Sequence, residues 1–592
     1  MTGAPRFDNP RDATRGGVNG PALPGHPPEG GHGKGPLRID NAPARLHGER
    51  YRRLGWWRDA TFLDDLRAAA ARTPDRPAII AARAFARDVT TVSYGELAGW
   101  VDRLAAGLVE LGVEREDIVA VQLPSWWQYN ALALACARIG AVLAPIPVDY
   151  RRREVEFVLS RTAAVVYIGP AMWLGFSHQG LLRELAPALP ALRHRILIGA
   201  DAHAAGELAF DAAFLADHAR RHPPAELDRR TPGPDDVFLI MYTSGTTGEP
   251  KGVVHSYNTL YAITRAVTET AGLGAGDVIT TPSSVTGMVG FLYDFLVPLH
   301  SGATAVYADL GDPDRGLAQI EQHAVSFLYG LPNYVLALID AQRRRPRRIS
   351  TLRTIVTGSA PVPPHLIGLA RDVLGVRVQT LWGMTETGGV TFTWPDDPPD
   401  WPAHSDGRPI DWMELDVADE TDGVGRLRVR GANQCLGYFQ RPDMYAAAIA
   451  GDGWFETGDL VRRDGRGGIR IVGRIKDVIV RNGYKVPVVE VESELAAHPQ
   501  IAMVALVPDP DVQLGERICA VVVPRDPAPT LAELRDHLRA AGMSAHYWPD
   551  RLHLVREMPL TSTGKIQKYA LAELLRTPDP APWTSPSTTT SG

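Results

Sequence analysis

Three features of the sequence predict an α/β protein. Apolar strand-like runs alternate with amphipathic helical runs over most of the chain. A loop rich in glycine and hydroxyl side chains follows directly on an apolar strand-like run, "VFLIMYT". The alternation also resets after "GRIKDVIVRNGYKV", residues 473–486. The expected molecule has a large N-terminal part, made of two α/β subdomains and a small β-barrel-like unit. It is followed by a small α+β C-terminal part. The expected boundaries are a disordered tail over 1–45, the large part over 46–475, the small part over 476–578 and a second tail over 579–592.

In order along the chain, residues 1 to about 45 are rich in Gly, Pro, Asn and Asp and lack apolar periodicity. "ATFLDDLRAAAARTPDRPAII" then reads as helix, turn and strand, with Leu63, Leu66 and Ala70 on one helical face and Pro74 ending it. "YGELAGWVDRLAAGLVELGV" is a second amphipathic helix and "DIVAVQL" a strand. "ALALACARIGA" with "VLAPIP" and "VEFVLSRTAA" with "VVYIG" repeat the pair. Residues 223–236, "PPAELDRRTPGPDD", read as a linker before a second α/β run. "RLRVRG" and "CLGYF" predict short strands of a β unit near 400–472. Beyond 486, "VVEVESELAAHP" and "TLAELRDHLRAAG" read as helices, and "IAMVALVPD" and "RICAVVVPR" as strands.

The chain has 592 residues, enough for several units of roughly 100–200 residues each. A net charge of −6 gives no basis for binding nucleic acid or an anionic membrane. Cys136, Cys435 and Cys519 are too far apart to suggest a metal pattern or a disulfide framework, which fits a reducing cytoplasm. No apolar signal segment opens the chain. The longest apolar stretch, residues 129–148, is interrupted by Arg138, Gly140 and Pro145, so it reads as a buried helix leading into a strand and no membrane span is expected.

The loop "MYTSGTTGEPKGVVH", residues 241–255, gathers Thr243, Ser244, Gly245, Thr246, Thr247 and Gly248 ahead of Lys251. Glycines let backbone N–H groups approach an anion, hydroxyls add donors and lysine adds charge. The loop does not fit the Walker pattern, because Gly252 follows Lys251. On composition alone it is either a phosphate cradle or an ordinary surface loop.

"YTSGTTGEPKG" resembles the phosphate-loop signature of the adenylate-forming superfamily, which includes acyl-CoA synthetases, peptide-synthetase adenylation domains and luciferase. Five further segments resemble that family's motifs in order: "VTGSAPVP" at 356–363, "LWGMTETGG" at 381–389, "WFETGDLVRRD" at 454–464, "GRIKDVIVRNGYKV" at 473–486 and "PLTSTGKIQK" at 559–568. The resemblance covers about residues 50–575. It implies ATP and Mg²⁺ as cofactors and a first step in which an oxyanion, usually a carboxylate, attacks the α-phosphate and releases pyrophosphate.

Residue by residue, Lys565 matches the catalytic lysine, Thr385 the α-phosphate contact and Glu386 the acid that helps hold Mg²⁺. Gly358, Ser359 and Ala360 match the segment bordering adenine. Trp382, Gly383 and Met384 stand in the aromatic motif that lines the nucleotide or acyl pocket. Asp459 and Arg474 match the ribose contacts. Lys476 matches the hinge, and Gly483 the close approach of a pantetheine arm in the second step. His255 and Gly287 match acyl-pocket positions, and Gly287 falls where the family often has histidine. Tyr257 and Pro487 also depart from the usual pattern.

The resemblance implies an acid–CoA ligase with CoA as co-substrate. Two alternatives stay within the superfamily: transfer to a carrier protein, and ATP-dependent activation of nitrite to diazotise an aromatic amine. A non-catalytic nucleotide-binding scaffold is the alternative of a different class.

Overall fold

The computed structural model describes residues 42–83, 89–200, 204–215, 218–243, 250–421, 423–451, 453–475, 478–481, 484–511, 515–561 and 564–576. Ser244, Gly245, Thr246, Thr247, Gly248, Lys476 and Gly483 lie outside the described residues, as do most of the expected N-terminal tail and all of the C-terminal one. The helix Ala42–Arg53 takes up the end of the segment read as an N-terminal tail.

Two large mixed sheets form the scaffold. From one edge, the first runs Arg408–Pro409, Gly388–Phe392, Arg377–Met384, Thr354–Gly358, Phe327–Tyr329, Val278–Thr280, Thr304–Ala308, Pro77–Ala82 and Val89–Ser93. Its central strands are parallel and almost wholly buried, as continuous apolar runs require. The second runs Gly437–Tyr438, Lys251–Ser256, Val237–Thr243, Val142–Pro145, Ile118–Val121, Val166–Pro170, His194–Ile198 and Glu207–Ala209.

Helices pack between and around these sheets. Tyr94–Glu110 begins at a capping box in which Ser93 and Glu96 exchange hydrogen bonds. Trp127–Ile139, from the longest apolar stretch, is buried nearly all round and ends at Gly140 with φ +72°. Arg138 on this helix is buried but ion-paired with Asp102 (2.9 Å) and Asp228 (2.9 Å). Among the described residues no helix is long and apolar enough to cross a membrane.

Two expectations are corrected. The segment 223–236 is not a free linker: Pro224–Asp228 is a helix, Leu227 is buried, and the Pro224 carbonyl accepts from Arg138. "CLGYF" does not belong to the small β unit. Gly437–Tyr438 pairs antiparallel with Lys251–Ser256 and extends the second sheet. The small unit itself is an open antiparallel sheet of Met413–Thr421, Val424–Gly431, Trp454–Arg463 and Ile449–Ala450, with Ile469–Arg474 added on Trp454–Arg463.

The C-terminal part has its own core. Ile501–Asp511 pairs antiparallel with Gly515–Pro524, and Arg551–Leu554 adds in parallel. Successive side chains point to opposite faces of a strand. Leu506, Ile518, Ala520 and Val522 therefore pack with Val491, Leu495, Leu534 and Leu538 on one face. Ala505, Val507, Cys519 and Val521 pack with Met558 and Leu571 on the other.

Candidate active site

The site gathers where strands of the two large sheets end and the small sheet meets them. Thr243 and Lys251 face each other in register, so they close the ends of the hairpin whose tip, 244–249, lies outside the described residues. The Lys251 ammonium lies 4.7 Å from the centroid of the Tyr438 ring. The Tyr438 hydroxyl donates to Glu386 Oε1 at 2.8 Å.

Glu386 stands at the tip of a tight antiparallel turn. Met384 pairs with Gly388 and Gly383 with Gly389. The strands approach so closely that a Cβ on Gly383 would lie 2.1 Å from the Gly388 carbonyl oxygen, and Gly388 itself has φ +58°. Glycine is required at both positions for that reason. The turn holds Thr385 half-buried and Glu386 buried.

His255 supports this turn from within. Its Nε2 lies 2.8 Å from the Thr385 carbonyl oxygen and its Nδ1 lies 3.0 Å from Thr259 Oγ1. A carbonyl only accepts, so Nε2 carries the proton. Burial pushes the His255 pKa down to about 4, opposed by the Thr385 bond. Its side chain is fully buried with both nitrogens engaged, so it positions Thr385 and presents no free ring edge.

Asp459 and Arg474 are direct cross-strand partners. Arg474 Nε donates to Asp459 Oδ1 at 2.8 Å, and Trp382 Nε1 donates to Oδ2 at 2.9 Å. The indole N–H thus fixes a buried carboxylate that belongs to another sheet. Gly358 ends the neighbouring parallel strand, where a Cβ would lie 2.5 Å from the Leu381 carbonyl oxygen. Ser359 follows with φ +64°, its hydroxyl 2.9 Å from Tyr329 Oη, and Ala360 is half-buried beside it. Tyr329 stacks on Tyr293 with ring centroids 4.4 Å apart.

Gly287 caps the short helix Met288–Gly290, after a polar run in which Ser284 and Thr286 share a 2.8 Å hydrogen bond. The Val285 amide in that run donates to Ser125 Oγ.

Lys565 comes from the C-terminal part. Thr561 and Lys565 form a turn closed by the Thr561 amide to the Lys565 carbonyl (2.7 Å), with Gly564 at φ +79°. A Cβ on Gly564 would stand 3.7 Å from Leu331, so the turn rests against the large part. The Lys565 side chain is solvent-accessible, yet the surrounding protein lowers its pKa below the ordinary lysine value. Arg474 adds to that shift, and Asp459 and Glu386 oppose it. Lys565, Glu386, Asp459 and Arg474 therefore share one electrostatic neighbourhood.

Glu386 suits a hard cation. Its carboxylate is buried, one oxygen accepts from a neutral hydroxyl, and it has no arginine or lysine ion pair among the described residues. No cluster of three or more candidate metal ligands occurs among those residues. A single carboxylate fits Mg²⁺, which is usually held by one or two carboxylates together with substrate phosphates.

Comparison with known proteins identifies the family of the chain. The AMP-binding enzyme family model matches residues 66–439, and the model of the AMP-binding enzyme C-terminal domain matches 490–565. The chain is 33% identical over 543 residues to the 2,3-dihydroxybenzoate-AMP ligase of Bacillus subtilis, covering 89% of this chain and 96% of that protein. It is 30% identical over 531 residues to the medium-chain fatty-acid–CoA ligase of Escherichia coli, covering 88% and 91%. The ATP-bound structure of MatB from Rhodopseudomonas palustris superposes with a TM-score of 0.75 at 25% identity, covering 87% of this chain and 99% of that one. The chain belongs to the AMP-binding enzyme family, the adenylate-forming superfamily, and is an adenylating ligase.

Proposed function

We propose that this enzyme activates a carboxylic acid as its acyl-adenylate, releases pyrophosphate, and then passes the acyl group to CoA. The observation that carries this reading is the seating of the Thr561–Lys565 turn of the C-terminal part against Leu331 of the large part, the part that also holds the buried Glu386 carboxylate and the Asp459–Arg474 pair. Two anions must meet in the first step, so positive charge and positioning do most of the work.

A carboxylate oxygen bonds to the α-phosphorus while the bond from that phosphorus to the bridging oxygen breaks, and pyrophosphate leaves with the electron pair. Lys565 spans the attacking carboxylate and the α-phosphate oxygens. Thr385 contacts the α-phosphate. Thr243, Ser244, Gly245, Thr246, Thr247, Gly248 and Lys251 hold the departing phosphates. Glu386 holds Mg²⁺, which when bound supplies further positive charge to the phosphate oxygens. Asp459 and Arg474 take the ribose, with Trp382, Gly358, Ser359 and Ala360 around the base. In the second step the CoA thiolate attacks the acyl carbon and AMP departs. Lys476 is the pivot between the steps and Gly483 admits the pantetheine arm. Gly287, Met384 and the polar 283–286 run face the acyl group.

Relatives named for fatty and aryl acids support an acid as substrate. Their acceptors include CoA and, in the salicyl-AMP ligase / salicyl-S-ArCP synthetase of Mycobacterium tuberculosis, a carrier protein. The test is pyrophosphate release across a panel of fatty and aryl acids, with and without CoA, beside nitrite plus an aryl amine. The expected result is acid-dependent release without CoA and a thioester only with it. Release with nitrite and amine alone would overturn the reading. A thioester formed only on a carrier protein would replace the acceptor.

A further inference from the structure

Two charged groups of the site share a neighbour that lies in none of the recognised motifs. Tyr438 touches Glu386 with its hydroxyl (2.8 Å) and Lys251 with its ring face (4.7 Å to the centroid). Its place is fixed from several sides. Tyr438 pairs with Val253, and the Phe439 amide donates to the Gly252 carbonyl at 2.7 Å, so the chain around Tyr438 is stitched to the strand that begins at Lys251. The Cys435 amide donates to the Glu386 carbonyl at 2.7 Å, tying the same segment to the turn that carries the acid. Tyr445 meets the ring edge-on, with centroids 5.6 Å apart. Three segments that meet only in the fold, around 251, 386 and 438, are thereby locked at one side chain.

We propose that Tyr438 is a positioning residue for adenylation. Its hydroxyl orients the Glu386 carboxylate towards the metal, and its ring holds the Lys251 ammonium towards the phosphates. The proposal rests on the adenylation reading above. A hydrogen bond to a carboxylate is strong and directional, and it leaves the second oxygen of Glu386 for a cation. A cation over a ring face is attracted without a fixed direction, so Lys251 stays free to swing onto a phosphate.

The test is ATP binding followed by calorimetry as Mg²⁺ is titrated, in the full chain and without any acid substrate. If the wild type fails to bind Mg²⁺ and ATP together, the functional reading fails whatever Tyr438 does. Given wild-type binding, Tyr438→Phe keeps the ring and loses the hydroxyl. Its half-saturating Mg²⁺ concentration is expected to rise about tenfold, the size of one charge-assisted hydrogen bond. Its ATP affinity at saturating Mg²⁺ is expected to hold within about threefold. Tyr438→Leu, which also removes the ring, is expected to weaken ATP binding at saturating Mg²⁺ as well. If the leucine variant does not fold, the phenylalanine variant decides alone. Tyr445→Phe removes a neighbouring buried hydroxyl that donates to the Cys435 carbonyl, and is expected to leave the Mg²⁺ dependence unchanged. An unchanged Mg²⁺ dependence in Tyr438→Phe, or equal shifts in the two phenylalanine variants, overturns the proposal.

Discussion

His255 shows how a residue named by a motif can serve the site from behind it. Burial holds it neutral, with a pKa of about 4 in the fold against an ordinary histidine value of about 6.5. Between those values the unfolded chain binds more protons than the folded one. The stability this histidine contributes is therefore complete above about pH 6.5 and is lost as pH falls towards 4, on the order of 3 kcal/mol in all. His255→Gln keeps a donor for the Thr385 carbonyl but does not titrate. The drop in melting temperature between pH 7 and pH 5 is expected to be smaller in that variant, and an equal drop would show that His255 is not the group responsible. The motifs made Asp459, Arg474 and Lys565 legible one by one. They did not disclose the Trp382–Asp459 bond, which spans 77 positions, or the role of Tyr438, because neither contact exists until three separate sheets meet.

Among the elements, the turn from Gly383 to Gly389 has the least tolerance. Its two strands come so close that any Cβ on Gly383 strikes the Gly388 carbonyl. Gly383→Ala is expected to destabilise the fold by about 1–3 kcal/mol, as overpacking does, and to displace Thr385 and Glu386. Adenylation is expected to fall at least about tenfold, because misplacing groups by about an ångström is costly. Thermal melts and pyrophosphate release check both, and an alanine variant with wild-type values for the two would contradict the close approach. The long helices and the parallel strands were legible from periodicity. The helix Pro224–Asp228 was not, since five residues are too few for a 3.6-residue period to register. "CLGYF" has strand composition but no local signal for which sheet it joins. That is settled by its pairing with residues 253 and 254.

At the scale of the whole molecule, Lys565 and the residues proposed to hold the nucleotide come from parts with separate cores. The reset of the sequence pattern after residue 486 points to a separate C-terminal part. What it could not give is the seating of the Thr561–Lys565 turn against Leu331 of the large part. On the proposed function, the two chemical steps are separable by one substitution. Lys565→Ala, assayed for pyrophosphate release with the preferred acid and, separately, for thioester formation from supplied acyl-adenylate and CoA, is the most direct measurement. Adenylation is expected to fall by about 10²–10³ while thioester formation is unchanged. Undiminished adenylation, or equal losses in both steps, would contradict the account.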